Sequence, residues 1–180
     1  MIILFIATLL FIILSGLMVV KLLKPTKMEI SMLKNFSILI SLKNEGYNIH
    51  KLFESLKKLN YNKNNYEIIL IDDNSTDNTY ELLNKYANLL SNAVVISASN
   101  KKYPAKKGAL DIGLSIAKYD YILITDADCN IPKNWLTFYN QAFENNYDLI
   151  FAPAPFSIKN SAINRFSCFE NLRTYLMTFF

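Results

Sequence analysis

The sequence has little glycine, almost no histidine and few cysteines. Its 180 residues include four glycines, Gly16, Gly46, Gly108 and Gly113, and neither GxGxxG nor GxxxxGK[ST] occurs. That removes the sequence ground for a Rossmann dehydrogenase or a P-loop NTPase. Cys129 and Cys168 stand far apart without a CxxC spacing, which excludes a disulfide scaffold, speaks against structural zinc and makes a reduced compartment the default. His50 is the only histidine, and at the start of an amphipathic stretch it reads as a surface residue. The 19 basic side chains barely exceed the 15 acidic ones and are interspersed with them, so nucleic acid is not an expected partner.

One long stretch lacks charge altogether. From Met1 to Val20 no side chain is ionisable, and as a helix rising 1.5 Å per residue the stretch reaches about 30 Å, the thickness of a bilayer's hydrocarbon core. It has no basic start and no A-x-A site, so an uncleaved anchor over residues 1–23 is expected rather than a signal peptide. Lys21, Lys24, Lys27 and Lys34 follow it against Glu29. The positive-inside bias then predicts a single-pass protein of the cell membrane, with residues 24–34 a basic linker and the domain on the cytoplasmic side. The rest suits one domain with its own core.

Beyond the linker, apolar runs alternate with helical periodicity. Phe36–Leu42, Tyr66–Ile71, Ala93–Ser97, Tyr121–Thr125 and the short Leu149–Ala152 read as strands. Between them Ile49, Leu52, Phe53, Leu56 and Leu59 mark a first helix, Leu82, Leu83, Tyr86 and Leu90 a second, and Leu110, Gly113, Leu114 and Ala117 a third. Ser75 or Thr76 is the expected cap of the second helix, and Pro132 favours a fourth before Trp135. Such alternation implies parallel pairing through helical crossovers, hence an open, mostly parallel α/β sheet with helices on both faces, preceded by one transmembrane helix. Pro153 and Pro155 end the pattern, and Phe166, Phe169, Leu172, Leu176 and Phe179 then suggest an amphipathic, aromatic helix over 156–180. The asparagine content is high and carries no reading of its own.

Ligands of open parallel sheets bind outside the carboxyl ends of the strands. Acids stand there twice: Asp72 and Asp73 after the second strand, Asp126 and Asp128 after the fourth. Asp126 and Asp128 can converge across Ala127, and two carboxylates held close suit a hard cation, Mg²⁺ or Mn²⁺, bridging a diphosphate. An EF-hand is excluded, because Asp77 stands where that loop requires glycine. Turn and cap chemistry is the plainer account of Asp72 to Asp77.

In combination these residues resemble the family 2 glycosyltransferases of the GT-A fold, inverting enzymes that use a nucleotide-sugar donor. The matching pieces are Ser37 to Glu45 (SILISLKNE), Ile71 to Asp77 (IDDNSTD), Lys106 to Leu110 (KKGAL), and Thr125 to Cys129 (TDADC) with its DxD, followed by Pro132 and Trp135-Leu136. The resemblance covers residues 35–155, expected as the nucleotide-sugar-binding domain. It implies that Asp73 accepts a hydrogen bond from the nucleotide base, with Asp72 more structural, and that Ser41, Asn44 and Glu45 line the nucleotide pocket. Lys106 or Lys107 would lie near ribose or diphosphate, Asp126 near ribose and metal, and Asp128 would ligate the metal. A UDP-sugar is the favoured donor and a GDP-sugar the other.

The chain departs from the family after the DxD. The acidic general base and the Gln-x-x-Arg-Trp segment of many members are not recognisable, and the catalytic base is unknown. Glu144 and Asp148 belong to the expected fourth helix and fifth strand. Glu170 is left as a candidate, although it stands close to the DxD and lacks the usual adjoining Asp. The expectation is therefore an anchor plus a donor-binding half, with the 165–180 helix meeting a missing acceptor-binding half or a partner chain. A nucleotide-sugar-binding module without turnover is the alternative. A metal-dependent nucleotidyltransferase is less favoured, because Ser41-Leu-Lys-Asn-Glu-Gly46 is no glycine-rich phosphate loop.

Overall fold

The structure, a computed structural model, describes residues 32–145, 147–152 and 160–178, with side chains described as far as residue 171, and four isolated positions, Ile6, Leu9, Leu10 and Ile13. Those four are helical and half-exposed. The rest of the expected span over residues 1–23, and the linker up to residue 31, lie outside the described residues. Among the described residues no helix is long and apolar enough to cross a membrane.

Four strands, β1 (Phe36–Leu42), β2 (Tyr66–Asp72), β3 (Ala93–Ser97) and β4 (Tyr121–Asp126), form one sheet of order β3-β2-β1-β4. All pairs are parallel. The helices are α1 (Ile49–Lys57), α2 (Thr79–Ala87), α3 (Ala105–Ile116), α4 (Trp135–Glu144) and α5 (Ala162–Thr178). The central strands β1 and β2 are apolar on both faces because helices cover both, as parallel sheets require. Phe36, Ile38, Ile40 and Leu42 pack with Leu52 and Phe53 of α1, Leu83 of α2 and Leu136 of α4. Leu39, Ile69 and Ile71 turn the other way onto Ala109 of α3. In α1, Ile49, Leu52, Phe53 and Leu56 recur at one-face spacing and are fully buried, each worth about 1.5–3 kcal/mol of apolar burial.

Two expectations are corrected. Leu149–Ala152 forms no strand: it is irregular, and Leu149 and Phe151 are each 71% exposed. A short apolar run specifies burial or pairing only where a neighbour offers a ladder, and here Pro153, which has no N–H to donate, follows at once. Ser75 and Thr76 do not cap the second helix either. α2 begins at Thr79, whose N–H donates to Asp77 Oδ1 at 3.0 Å, and the two hydroxyl residues bond elsewhere.

Residues 32–34 of the expected linker are tied into the domain at the amino ends of the strands. The fully buried Asn140 of α4 accepts from the Lys34 N–H at 2.7 Å and donates Nδ2–H to the Met32 carbonyl at 3.0 Å. The Tyr61 hydroxyl lies 2.7 Å from both the Lys34 carbonyl oxygen and Asn140 Oδ1. Burial pushes its pKa up to about 12, so it stays a proton donor.

Candidate functional site

Register decides what meets at the carboxyl edge of the sheet. Ser41 on β1 aligns with Ile71 on β2 and with Asp126 on β4. Ser41, Lys43, Glu45, Asp73, Ala105, Lys106, Asp126, Ala127 and Asp128 line one cleft of about 340 Å³. It gathers four carboxylates and two ammonium groups around the ends of three strands.

One wall of the cleft is fixed by a seam between the β1–α1 and β2–α2 loops. The Asn44 N–H donates to Ser75 Oγ at 3.0 Å, Asn44 Oδ1 accepts from the Thr76 N–H at 2.8 Å, and the Glu45 N–H donates to the buried Thr79 hydroxyl oxygen at 2.8 Å. The Gly46 N–H closes the seam onto Asp77 Oδ2 at 3.2 Å. Asn44 at φ 56° and Asn74 at φ 55° take the left-handed turn that asparagine tolerates best among residues with a Cβ. Asp77 holds its proton less tightly than an ordinary carboxyl, chiefly because the Thr79 side chain bonds its charged form, with the Thr79 and Gly46 N–H groups adding to the effect.

The two acid pairs are held differently. Asp72 is buried; Oδ2 accepts from the Ser75 N–H at 3.3 Å, and Oδ1 has no hydrogen-bond partner among the described residues. Its neighbour Asp73 is 3% exposed, faces the cleft and is paired with Lys101 Nζ. The Asp73 N–H donates to the Leu42 carbonyl at 2.7 Å, which locks the second acid of the pair beside β1. Asp126 and Asp128 are exposed at the mouth, and Lys106 Nζ contacts Asp126 Oδ1. An exposed pair of this kind is worth at most about 1 kcal/mol.

Most of the sequence-predicted residues therefore meet in one place: Ser41, Glu45, Asp73, Lys106, Asp126 and Asp128. Asn44 and Asp72 stand behind the wall and brace it. Lys106 and Lys107 differ: Lys106 lines both the cleft and an adjacent apolar groove of Leu110, Leu114 and Ile124, whereas Lys107 lines only that groove, its Nζ 4.5 Å from the Tyr103 ring centroid. Glu170, on α5, is not among the lining residues. Lys43, Lys101 and Ala105 are additions. Lys101 follows β3 by four residues, so the strand-end rule applied to β3 would have found it. No sequence signal marks Ala105, whose φ of 52° is unusual for a residue with a Cβ and starts α3 with Lys106 turned to the cleft.

The carboxylates fit a divalent cation. Among the described residues no three His, Cys, Asp or Glu side chains form a closed cage, but Mg²⁺ and Mn²⁺ are commonly held by one or two carboxylates with phosphate oxygens and water supplying the rest. The Lys106 ammonium already places one positive charge on Asp126.

These features define an α/β protein of the GT-A type. The chain belongs to glycosyl transferase family 2, whose profile matches residues 37–177. It is 36% identical over 100 residues to a beta-monoglucosyldiacylglycerol synthase of Nostoc sp., covering 56% of this chain and 21% of that protein. Among solved structures it resembles Staphylococcus aureus TarS in complex with UDP-GlcNAc, with 29% identity and a TM-score of 0.54 over 62% of this chain and 31% of the other. It also resembles a mannosyltransferase of Pyrobaculum calidifontis in complex with GDP-Man and Mn²⁺, with a TM-score of 0.58 over 68% of this chain and 36% of that one. At 20% identity that last likeness is one of fold. The chain thus spans about a fifth to a third of the relatives it matches.

Proposed function

We propose that the chain is the donor-binding portion of a membrane-anchored glycosyltransferase, which moves a sugar from a nucleoside-diphosphate donor to a lipid, glycan or other acceptor at the cytoplasmic face of the cell membrane. The observation that carries this is the meeting of Asp73, Asp126 and Asp128 in one cleft at the carboxyl ends of parallel strands, in a chain of this family. Asp73, deep in the cleft, accepts the N–H of the base. Uracil offers one such donor between two carbonyls and guanine offers a comparable edge, so a UDP-sugar is the favoured donor and a GDP-sugar the second. Lys106 faces the diphosphate, and Asp126 with Asp128 hold Mg²⁺ or Mn²⁺. The metal would neutralise charge on the departing diphosphate.

Calorimetry with UDP- and GDP-sugars tests this reading. Affinity should depend on Mn²⁺ and fall on Asp128→Ala; equal affinity in Mn²⁺ and in chelator removes the metal. Orientation is read separately: protease added to intact cells should spare the domain and digest it after lysis, and digestion without lysis would reverse the topology. A binding module without turnover is the second reading, favoured by the position of Glu170 outside the cleft. In it, the 180-residue chain binds donor but transfers no sugar; transfer by the chain that is lost on Glu170→Gln would overturn it. Exposed Ile163, Phe166 and Phe169 of α5 would meet an acceptor-binding half or a partner chain.

A further inference from the structure

Two observations concern the cation that Asp126 holds. The first is that Lys106 Nζ sits on Asp126 Oδ1, the carboxylate at the end of β4, while Asp128 shares the same cleft. The second is where Lys106 starts: it is the second residue of α3, behind Pro104 and the left-handed Ala105, at the rim between this cleft and the apolar groove beside it, both of which it lines. An ammonium so placed does for Asp126 what a metal ion would do: it cancels the repulsion between neighbouring carboxylates. One carboxylate oxygen cannot serve an ammonium and a divalent ion at full strength together.

We propose that Lys106 competes with the divalent metal for Asp126 in the empty cleft and becomes the counter-ion of the diphosphate in the filled one, so that metal enters with the nucleotide and not before it. This rests on the donor-binding reading above. A diphosphate arriving at the cleft mouth offers Lys106 more negative charge and more acceptor oxygens than one carboxylate does, which draws the ammonium toward it. With Lys106 drawn to the diphosphate, Asp126 would be free to hold the metal together with Asp128. The lysine thereby acts in opposite directions on two equilibria: it weakens metal binding to the free protein and strengthens binding of the metal–nucleotide pair. A residue that merely props up the loop would weaken both. Lys107, turned to Tyr103, takes no part.

The experiment is Mn²⁺ binding to the 180-residue chain, followed by the electron paramagnetic resonance of free Mn²⁺, with Mn²⁺ alone and with Mn²⁺ plus UDP or GDP, for wild type, Lys106→Met and Lys107→Met. Lys106→Met should tighten Mn²⁺ alone by about two- to fivefold, the range an exposed ion pair supports. It should weaken Mn²⁺–UDP by about tenfold or more. Lys107→Met should change neither. Weakened or unchanged binding of Mn²⁺ alone in Lys106→Met overturns the competition, as does unchanged binding of Mn²⁺–UDP. If neither UDP nor GDP binds wild type with Mn²⁺, the donor reading itself fails, and the proposal with it. The Mn²⁺-only arm would then still report whether lysine and metal compete. Lys106 is about half-exposed, and an unchanged thermal midpoint of Lys106→Met verifies that the variant is folded.

Discussion

Gly108 on the first turns of α3 lies directly beneath the Tyr103 carbonyl, so that a Cβ at Gly108 would overlap that oxygen and press on Lys101 Cβ at 2.8 Å. The strap 101–104 can therefore fold back onto α3 only because residue 108 has no side chain. That strap carries Lys101 to Asp73 and delivers Ala105 and Lys106 to the cleft. A local steric condition in the sequence thus sets the electrostatics of the site.

Gly108→Ala should destabilise the domain by about 1–3 kcal/mol, the usual cost of forced overpacking, although alanine is the better helix former. The same change should weaken UDP binding, because the strap must lift. Thermal unfolding and calorimetry measure the two effects. An unchanged midpoint would mean the strap has room to spare.

Asn140 should be the most sensitive polar residue remote from the cleft. It is fully buried and serves Met32 and Lys34 at once, so Asn140→Leu leaves those backbone groups without partners at a cost of about 1–3 kcal/mol. Limited proteolysis should cut near residues 32–34 sooner in this variant, while UDP affinity stays as in wild type, because the clamp lies at the amino ends of the strands. Loss of nucleotide affinity in a folded Asn140→Leu protein would contradict that separation.

What could be read from the sequence followed the strength of the pattern. β1 and β3 keep the residues expected, and β2 and β4 each extend by one into the acid that follows the apolar run; such a run marks the half-exposed outer strands β3 and β4 as well as the buried β1 and β2. Leu149–Ala152 misled because hydrophobicity alone does not supply a neighbouring strand. Asp73, Asp126 and Asp128 were legible from the rule that ligands sit at strand carboxyl ends, but the choice between Lys106 and Lys107 was not. Adjacent residues on a helix point about 100° apart, and only the turn made by Ala105 decides which one enters the cleft. Asn44 was read as a pocket residue and Asn140 not at all, because their work joins segments distant in sequence: Asn44 with Thr76, and Asn140 of α4 with the chain at residues 32–34.

Asp77 gives the loop seam a pH signature. Its folded pKa is depressed by bonds from Thr79 and the Gly46 N–H, so its contribution is fully present above the ordinary carboxyl range and is lost as pH falls through the lower folded value. Asp77→Asn should therefore remove a share of stability at neutral pH and flatten the acid limb of the stability curve below about pH 4. Carboxyl carbon shifts followed by NMR against pH would show directly whether Asp77 titrates below the ordinary range; titration at or above it would remove the effect.

The pairing of Asp73 with Lys101 allows stability and recognition to be separated. Asp73 is 5% and Lys101 16% exposed in the side chain, so neither charge is well solvated and each relies on the other. Lys101→Met leaves a buried carboxylate and Asp73→Asn a buried ammonium, each costing about 1–3 kcal/mol. The double variant removes both charges and should cost less than the sum of the singles, since contacting residues couple. Nucleotide affinity should behave otherwise: if Asp73 receives the N–H of the base, Asp73→Asn and the double variant lose UDP binding alike, whatever stability the second substitution restores. Chemical denaturation and calorimetry on the four proteins complete the cycle. Additive stability losses would mean that the pair is not coupled, and recovery of UDP affinity in the double variant would remove Asp73 from the base subsite.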